Sequence, residues 1–446
     1  MAKEQVELKQ VLGFKELFTQ AVGNIIGAGV MTLLGSAIAL TGRSLPFSFL
    51  AATFIVVGYA LPYVLICSAA HVKGGTYTMI GMLAGTRLTE IQCIMNILGN
   101  LGLGMYGLSL ASYFISFFGF GNEKVVALTA VTIFYILNVF GIDKMAKVQN
   151  IIVLMLCVAL GLFAVFGIGH VQPDYFENGF MPGGWMGLLQ AGALMTNAVA
   201  GASMITALSG EAKKPTRDIP LVIIIATLSV AILYAVISVV AAGVLPVEQV
   251  AGENLSMVAE IVLSRPLYVF FMVFGAMFAI ISTLNGQFAT ATRPPLQACR
   301  DGWFPEWMGY VHPKFRTPVV LLTMFYVISV VTILSGMKIR TIANLTIICT
   351  GITILITCVA IVRLQKVCPT GWKNSKFRCS KTVLYLIAVY ATGAELFNIY
   401  LNMRQLSAGM LTGNILMIIG AVIFAFARFK YTHITPSYEE NMGGEG

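Results

Sequence analysis

Two short stretches carry most of the chemistry legible in this chain, and neither contains a charged residue. "GNIIGAGV", Gly23 to Val30, puts three glycines into eight residues inside an apolar run, although each glycine in a helix interior costs about 1 kcal/mol relative to alanine. "NAVAGAS", Asn197 to Ser203, interrupts a second run with Ala200, Gly201 and Ala202, flanked by the polar Asn197 and Ser203. In hydrocarbon, irregular backbone survives only where protein buries it or where it lines a cavity. A break in the first stretch frees the N–H groups of Ala28, Gly29 and Val30 at the start of a half-helix, whose positive dipole end holds a carboxylate without a charged side chain. The carbonyls that end the preceding half-helix suit an ammonium or a cation. Small residues at this density also mark close helix packing in membranes, and the first stretch alone leaves both readings open.

Other reactive side chains are sparse. His71, His170, His312 and His433 fall at the ends of apolar runs or between them, with no second ligand-type residue at metal spacing, and read as solvated loop histidines. The eight cysteines show no C-x-x-C spacing and lie mostly within apolar runs, as small packing residues do. Glu395, in "YATGAELFNIY", is the ionisable group nearest the middle of a run. A charge at that depth costs about 2.5–3.5 kcal/mol on insertion scales, so Glu395 is either a functional acid or a protonated one bonded to a neighbouring helix. No nucleophile–base pair, metal cluster, ring of charge or repeated filter segment is visible, which sets enzyme and channel readings aside; no cofactor is expected.

These stretches need elements that hold them at membrane depth. Of 446 residues, 58% are hydrophobic and 11% charged, and the mean hydropathy of +0.85 lies outside the soluble range. Apolar runs predict spans at 15–40, 45–70, 89–119, 124–141, 147–169, 187–210, 219–244, 266–292, 317–336, 341–363, 381–402 and 411–428, each long enough for a crossing. The expectation is an all-α membrane protein of 12 transmembrane helices without a sizeable soluble domain. The opening "MAKEQVELKQVLGFKE" mixes charge signs and has no small-residue cleavage site, which argues against a removable signal peptide. With the N-terminus inside, 22 of the 28 basic residues fall on the cytoplasmic side, Lys3, Lys9, Lys73, Lys144, Arg316 and Lys430 among them; Arg43, Lys124, Arg265, Lys338, Arg340 and Arg404 fall outside. That bias places both termini in the cytoplasm. The net charge of +9 then reflects orientation in a bilayer, and no nucleic-acid partner is expected. If spans 1–5 and 6–10 are two repeats, the interrupted spans 1 and 6 correspond, as in transporters whose sites lie between broken helices.

Further segments add a family likeness: "KGGTYTMIGMLAG" after span 2, "GEAKKPTRDIP" after span 6, "STLNGQFATATRPPLQACRDGWFP" from span 8 onward, and "HPKFRTPVVLL" downstream. In this order, and with "GNIIGAGV", the chain resembles the amino acid–polyamine–organocation (APC) superfamily of permeases from span 1 to at least span 10. The resemblance implies a LeuT-like fold: two inverted five-helix repeats (15–169 and 187–363) with broken helices 1 and 6, and two extra C-terminal helices (381–428). A cytoplasmic N-terminus (1–14) and tail (429–446) complete one permease domain, 1–446. It also implies secondary active transport of amino acids across the cell membrane by alternating access, as permease or exchanger. The partners are then a small amino acid and the lipid bilayer, with monomer and homodimer both open. Carried over by position, the substrate carboxylate lies near Gly27, Ala28 and Gly29 and its amine near Asn197, Ala198 and Ala200, with Ile26, Gly201 and Ser203 completing the interrupted stretches. "GNIIGAG" and "LGNLGLGMYGLSLASYF" of span 3 look most like the bacterial arginine/agmatine antiporter, in which the asparagines matching Asn24 and Asn100 lie near the substrate.

The departures bear on specificity. Asn197 stands where relatives often place an aromatic gate, Ser203 where they carry an acid, Leu65 in place of a span 2 acid, His71 in place of a proline, and Leu156 near the position of a span 5 lysine. A pocket without that ring cannot stack on a guanidinium, so a mostly neutral pocket and neutral amino acids are expected. The alternative is a polyamine or cationic amine permease of the same fold, with Glu395 or polar residues of spans 3 and 6 holding the cation. Ser282 and Thr283 could join span 1 carbonyls in an oxygen cage for sodium. No carboxylate accompanies them, and such hydroxyls commonly bond back to their own helix, so exchange or facilitated diffusion ranks ahead of sodium symport.

Overall fold

The first predicted span is two helices. Phe14–Ile25 (α1) starts where the Glu16 side chain accepts from the Gly13 N–H at 2.9 Å and ends at Ile26, whose ψ of 70° leaves the helical region. Ala28–Thr41 (α2) follows and stops at Gly42, φ +62°, a conformation that glycine adopts without a Cβ penalty. In this computed structural model residues 12–72, 75–140, 145–315, 317–428 and 438–442 are described. The expected cytoplasmic residues Lys3, Lys9, Lys73, Lys144, Arg316 and Lys430, with His433 and the ends of both terminal segments, lie outside them.

Setting aside the one- and two-turn helices of the loops, the remaining helices are Leu45–Ala69 (α3), Thr76–Ala84 (α4), Thr86–Gly99 (α5), Gly102–Phe118 (α6), Glu123–Phe140 (α7), Met145–Ile168 (α8), Gly184–Val199 (α9), Pro215–Gly243 (α10), Phe278–Ala291 (α11), Val319–Leu334 (α12), Ile339–Ala360 (α13), Lys381–Met403 (α14) and Ala408–Arg428 (α15). Proline within the first turn opens α3 and α10, where a missing N–H removes no helical hydrogen bond. Among the described residues, ten helical stretches are long and apolar enough to cross a membrane, and Val319–Leu334 is a shorter apolar helix. The chain is a multi-pass, all-α membrane protein.

Two further spans are irregular. Span 3 bends at Asn100 and Leu101, where N–H groups reach back three residues instead of four: Asn100 to the Ile97 carbonyl at 3.2 Å and Leu103 to that of Asn100 at 3.0 Å. Span 8 carries a π-helical segment, Phe271–Met277, leading into α11, a local widening that recurs at functional sites.

Burial sorts the helices. The most apolar windows of Phe14–Ala69, Thr86–Phe118, Gly184–Ser209 and Ile339–Val367 are 61–67% buried, against 17% for α7 and α15. The former build the centre; the latter turn Ile133, Leu416 and Ile423 outward, toward lipid.

Two three-residue strands, Ala70–Val72 (β1) and Tyr438–Glu440 (β2), pair antiparallel with His71 opposite Glu439. This corrects the expectation for His71. It is buried, its Nε2 lies 2.9 Å from the Ser209 carbonyl, and its Nδ1 lies 3.8 Å from Glu439 Oε2.

Candidate functional site

Where the interrupted helices approach one another they enclose a cavity of about 250 Å³. The glycines of both breaks are there because backbone meets backbone. A β-carbon on Gly29 would stand 2.7 Å from Ala198 Cα, and one on Gly201 (φ +133°) would stand 2.7 Å from the Asn24 carbonyl oxygen. Both distances are shorter than atoms tolerate, so each broken span accommodates the other only through its glycine. Close packing and an interrupted helix lining a cavity, alternatives at the sequence level, are one arrangement. Beyond Gly201 the chain continues as a 3-10 helix, Ala202–Glu211, longer than the few residues this geometry usually sustains.

A helix start leaves its first four N–H groups without intrahelical partners. In α2 that of Gly27 bonds the Ile25 carbonyl at 2.8 Å, and that of Ala28 donates to Thr283 Oγ1 at 2.9 Å. Gly29 and Val30 remain for a ligand, and Gly29 lines the cavity. Thr283 in turn donates to the Ala279 carbonyl at 3.1 Å, so this hydroxyl caps α2 from a neighbouring helix. Ser282 is buried and is not among the cavity-lining residues. The Ile25 carbonyl, at the end of α1, also accepts from Tyr234 OH at 3.1 Å, which occupies an oxygen that a cation would need.

Of the residues singled out from sequence, Asn24, Ala28, Gly29, Asn100, Asn197, Ala200, Gly201 and Ser203 line this one cavity. Ile26, Gly27 and Ala198 are buried and do not line it; a β-carbon on Gly27 would overlap Thr283 Oγ1. The Asn100 side chain donates to the Asn96 carbonyl at 2.7 Å. Asn96 Oδ1, Thr346 Oγ1 and Thr353 Oγ1 line the same space, buried and without a hydrogen-bond partner. Unpaired polar atoms are costly in a sealed interior, and a polar ligand would satisfy them.

A family model described as amino acid permease matches residues 12–433. The chain belongs to this family. Its place in the APC superfamily follows, and its relatives are transporters. It is 29% identical to the branched-chain amino acid permease BcaP of Bacillus subtilis over 71% of this chain and 73% of that protein. It is 27% identical to the methylthioribose transporter of the same organism over 70% and 72%. With its serine/threonine exchanger SteT, identity is 26% over 75% and 78%.

The permease departs from expectation in what else lines the cavity. The expected absence of a ring is corrected by Tyr59 and Tyr63 of α3 and Tyr106 of α6, and the expected neutrality by Glu395 of α14, with Asn398 beside it. The absent span 6 aromatic is a fact about one wall; these residues come from others. Regular spacing was the available signal. Tyr59 and Tyr63 are one helical turn apart, Glu395, Asn398 and Asn402 form a polar stripe in α14, and Thr346, Thr350, Thr353 and Thr357 form another in α13, each on one face.

Proposed function

We propose that this protein is a secondary transporter of small or medium neutral amino acids, working by alternating access, with the substrate held at the meeting of spans 1 and 6. The observation that carries the reading is the joint break. The Gly29 N–H, at the start of α2 and opposite Asn197, Ala200 and Gly201 in one cavity, offers an anion-holding helix start beside carbonyls that suit an ammonium. Among the described residues no lysine, arginine or histidine lines the cavity, so the substrate carboxylate relies on backbone. The volume lies just below the ~300 Å³ at which drug-sized sites begin, as suits a small metabolite.

A second cavity of about 540 Å³ supports alternation. Both cavities are lined by α2 and α6: Ala28, Gly29, Leu103 and Tyr106 face the central one, and Met31, Thr32, Leu108 and Ser109 the other. About one helical turn therefore separates them. The hydrogen bond from Thr32 Oγ1 to Ser109 Oγ, 2.7 Å, joins the two helices at that layer.

The same reading gives 12 crossings. The 56-residue stretch Phe14–Ala69 is long enough for two, and Val319–Leu334 joins the ten long stretches. Spans 1–5 (α1 to α8) and 6–10 (α9 to α13) then form the inverted repeats, with α14 and α15 added, both termini cytoplasmic, and the whole chain one domain in the cell membrane. The names of BcaP and SteT, one for branched-chain and one for hydroxylated amino acids, favour neutral substrates here. Sodium symport is disfavoured because Thr283 is engaged as a cap.

A thermal-shift screen of the purified protein tests the substrate class. Neutral amino acids should raise the melting temperature and polyamines should not; stabilisation by amines alone would overturn the assignment.

A further inference from the structure

Helix α14 lies outside the ten spans proposed to form the transport core, yet it sends a carboxyl group to the central cavity. Glu395 is fully buried and lines that space. Among the described residues no ion pair reaches it. Its hydrogen bonds come from one side chain, Asn398 Nδ2, at 3.3 and 3.4 Å from the two oxygens; Asn398 is itself held by Asn402, whose Nδ2 donates to its backbone carbonyl at 2.8 Å and to its Oδ1 at 3.1 Å.

The titratable groups facing Glu395 are all uncharged at neutral pH: Tyr59 and Tyr63 of α3 and Cys358 of α13. Helix α9 offers none. Arg363, just after α13, donates to the Leu83 carbonyl at 3.1 Å. On α14 itself Lys381 and Arg404 stand at the two ends, roughly 21 and 14 Å away along the helix axis. An anion so placed is strongly disfavoured unless a cation or a proton joins it.

On the α13 side the surroundings of the carboxyl favour the proton. A β-carbon on Gly351 would stand 2.5 Å from Glu395 Oε1 and 2.9 Å from Ile399 Cγ1. The carboxyl is thus wedged against the backbone of α13, which glycine alone allows. A metal cation needs a shell of oxygens and an ammonium needs its own volume. A proton needs neither, and Asn398, whose Oδ1 is already taken by Asn402, offers the carboxyl only its amide N–H.

We propose that Glu395 is the proton-binding group of the permease, and that one proton travels on it with each substrate molecule. The inference rests on the amino acid transport reading above. A proton from water on the outer side joins the carboxylate to give the neutral acid, and the cavity closes around acid and substrate. On the inner side the O–H bond breaks and the proton leaves to cytoplasmic water. No other bond changes.

The test uses the full chain in proteoliposomes and the amino acid that gives the strongest exchange. Accumulation under an inward proton gradient is expected, up to about tenfold per pH unit for one proton per substrate. Glu395→Gln should lose this accumulation while exchange remains measurable and no longer responds to pH; Glu395→Asp, which keeps a carboxyl group, should restore gradient-driven uptake. A substrate-dependent proton influx in the unmodified protein, read by an internal pH dye, checks the same claim should the Gln variant fail to fold. Exchange without any response to the gradient, no proton influx, or undiminished accumulation by Glu395→Gln overturns the proposal and leaves the transport reading standing. Absence of exchange for every amino acid overturns the transport reading instead. Loss of cationic amine transport alone in Glu395→Gln, with the gradient response intact, would make Glu395 a substrate-binding acid and refute proton coupling.

Discussion

At the scale of residues the site is built from backbone and polar side chains with one acid, Glu395, and its most informative member is a cap. Thr283 reaches across from α11 to take the Ala28 N–H, leaving the next amides of α2 for a ligand. Thr283→Val keeps the shape and removes the acceptor. A buried N–H without a partner costs about 1–3 kcal/mol, so this variant should melt at a lower temperature than the parent and gain less from added substrate. An unchanged melting temperature would show that Ala28 finds another partner. The glycines teach a related lesson. Because Gly29 sits against the Ala198 backbone, enlarging it displaces span 6 as well as filling the pocket, and tests the joint more than the ligand.

At the scale of elements, the breaks in spans 1 and 6 were legible because glycine and small polar residues interrupt otherwise continuous apolar runs. The bend in span 3 was not: the stretch around Asn100 carried a family likeness but no sign of a bend, and only the proximity of Thr346 and Thr350 on α13 shows why the chain gives way there. Local periodicity reports which face of a helix is polar but not which helices face it. For the same reason the tyrosines of α3 joined the cavity unannounced, while the acid of α14, marked by its depth in an apolar run, lines the same space. Loops carry their own ties. Arg43, in the turn between α2 and α3, is buried and donates to Asp174 Oδ1 at 3.0 Å and to the Asp174 carbonyl at 2.8 Å, while Tyr175 OH donates to the Arg43 carbonyl at 2.6 Å. The Asn178 amide and then the Arg43 guanidinium hold the Asp174 carboxyl below the usual aspartate range. A carboxylate with a lowered folded value contributes stability above its unfolded value of about 3.9, and that contribution is lost as pH falls through the folded value. Asp174→Asn should therefore melt below the parent at neutral pH, with the difference closing under acid; a gap that persists at low pH would place the effect elsewhere.

At the scale of the whole molecule, hydropathy is enough to assign a multi-pass helical membrane protein, since 58% hydrophobic residues cannot be buried in a single water-facing domain. Ordered motifs around the breaks were enough for the family. Specificity was less accessible, because a 250 Å³ cavity draws its walls from spans far apart in sequence, and one substitution such as Asn197 for an aromatic says little about the rest. The central claim is that this cavity carries neutral amino acids from one side of a membrane to the other. Counterflow tests it most directly: purified protein in liposomes preloaded with an unlabelled neutral amino acid, with uptake of the labelled form measured against empty liposomes. Preload-dependent uptake is expected for at least one neutral amino acid; folded protein that exchanges none across the full set of amino acids would contradict neutral amino acid transport.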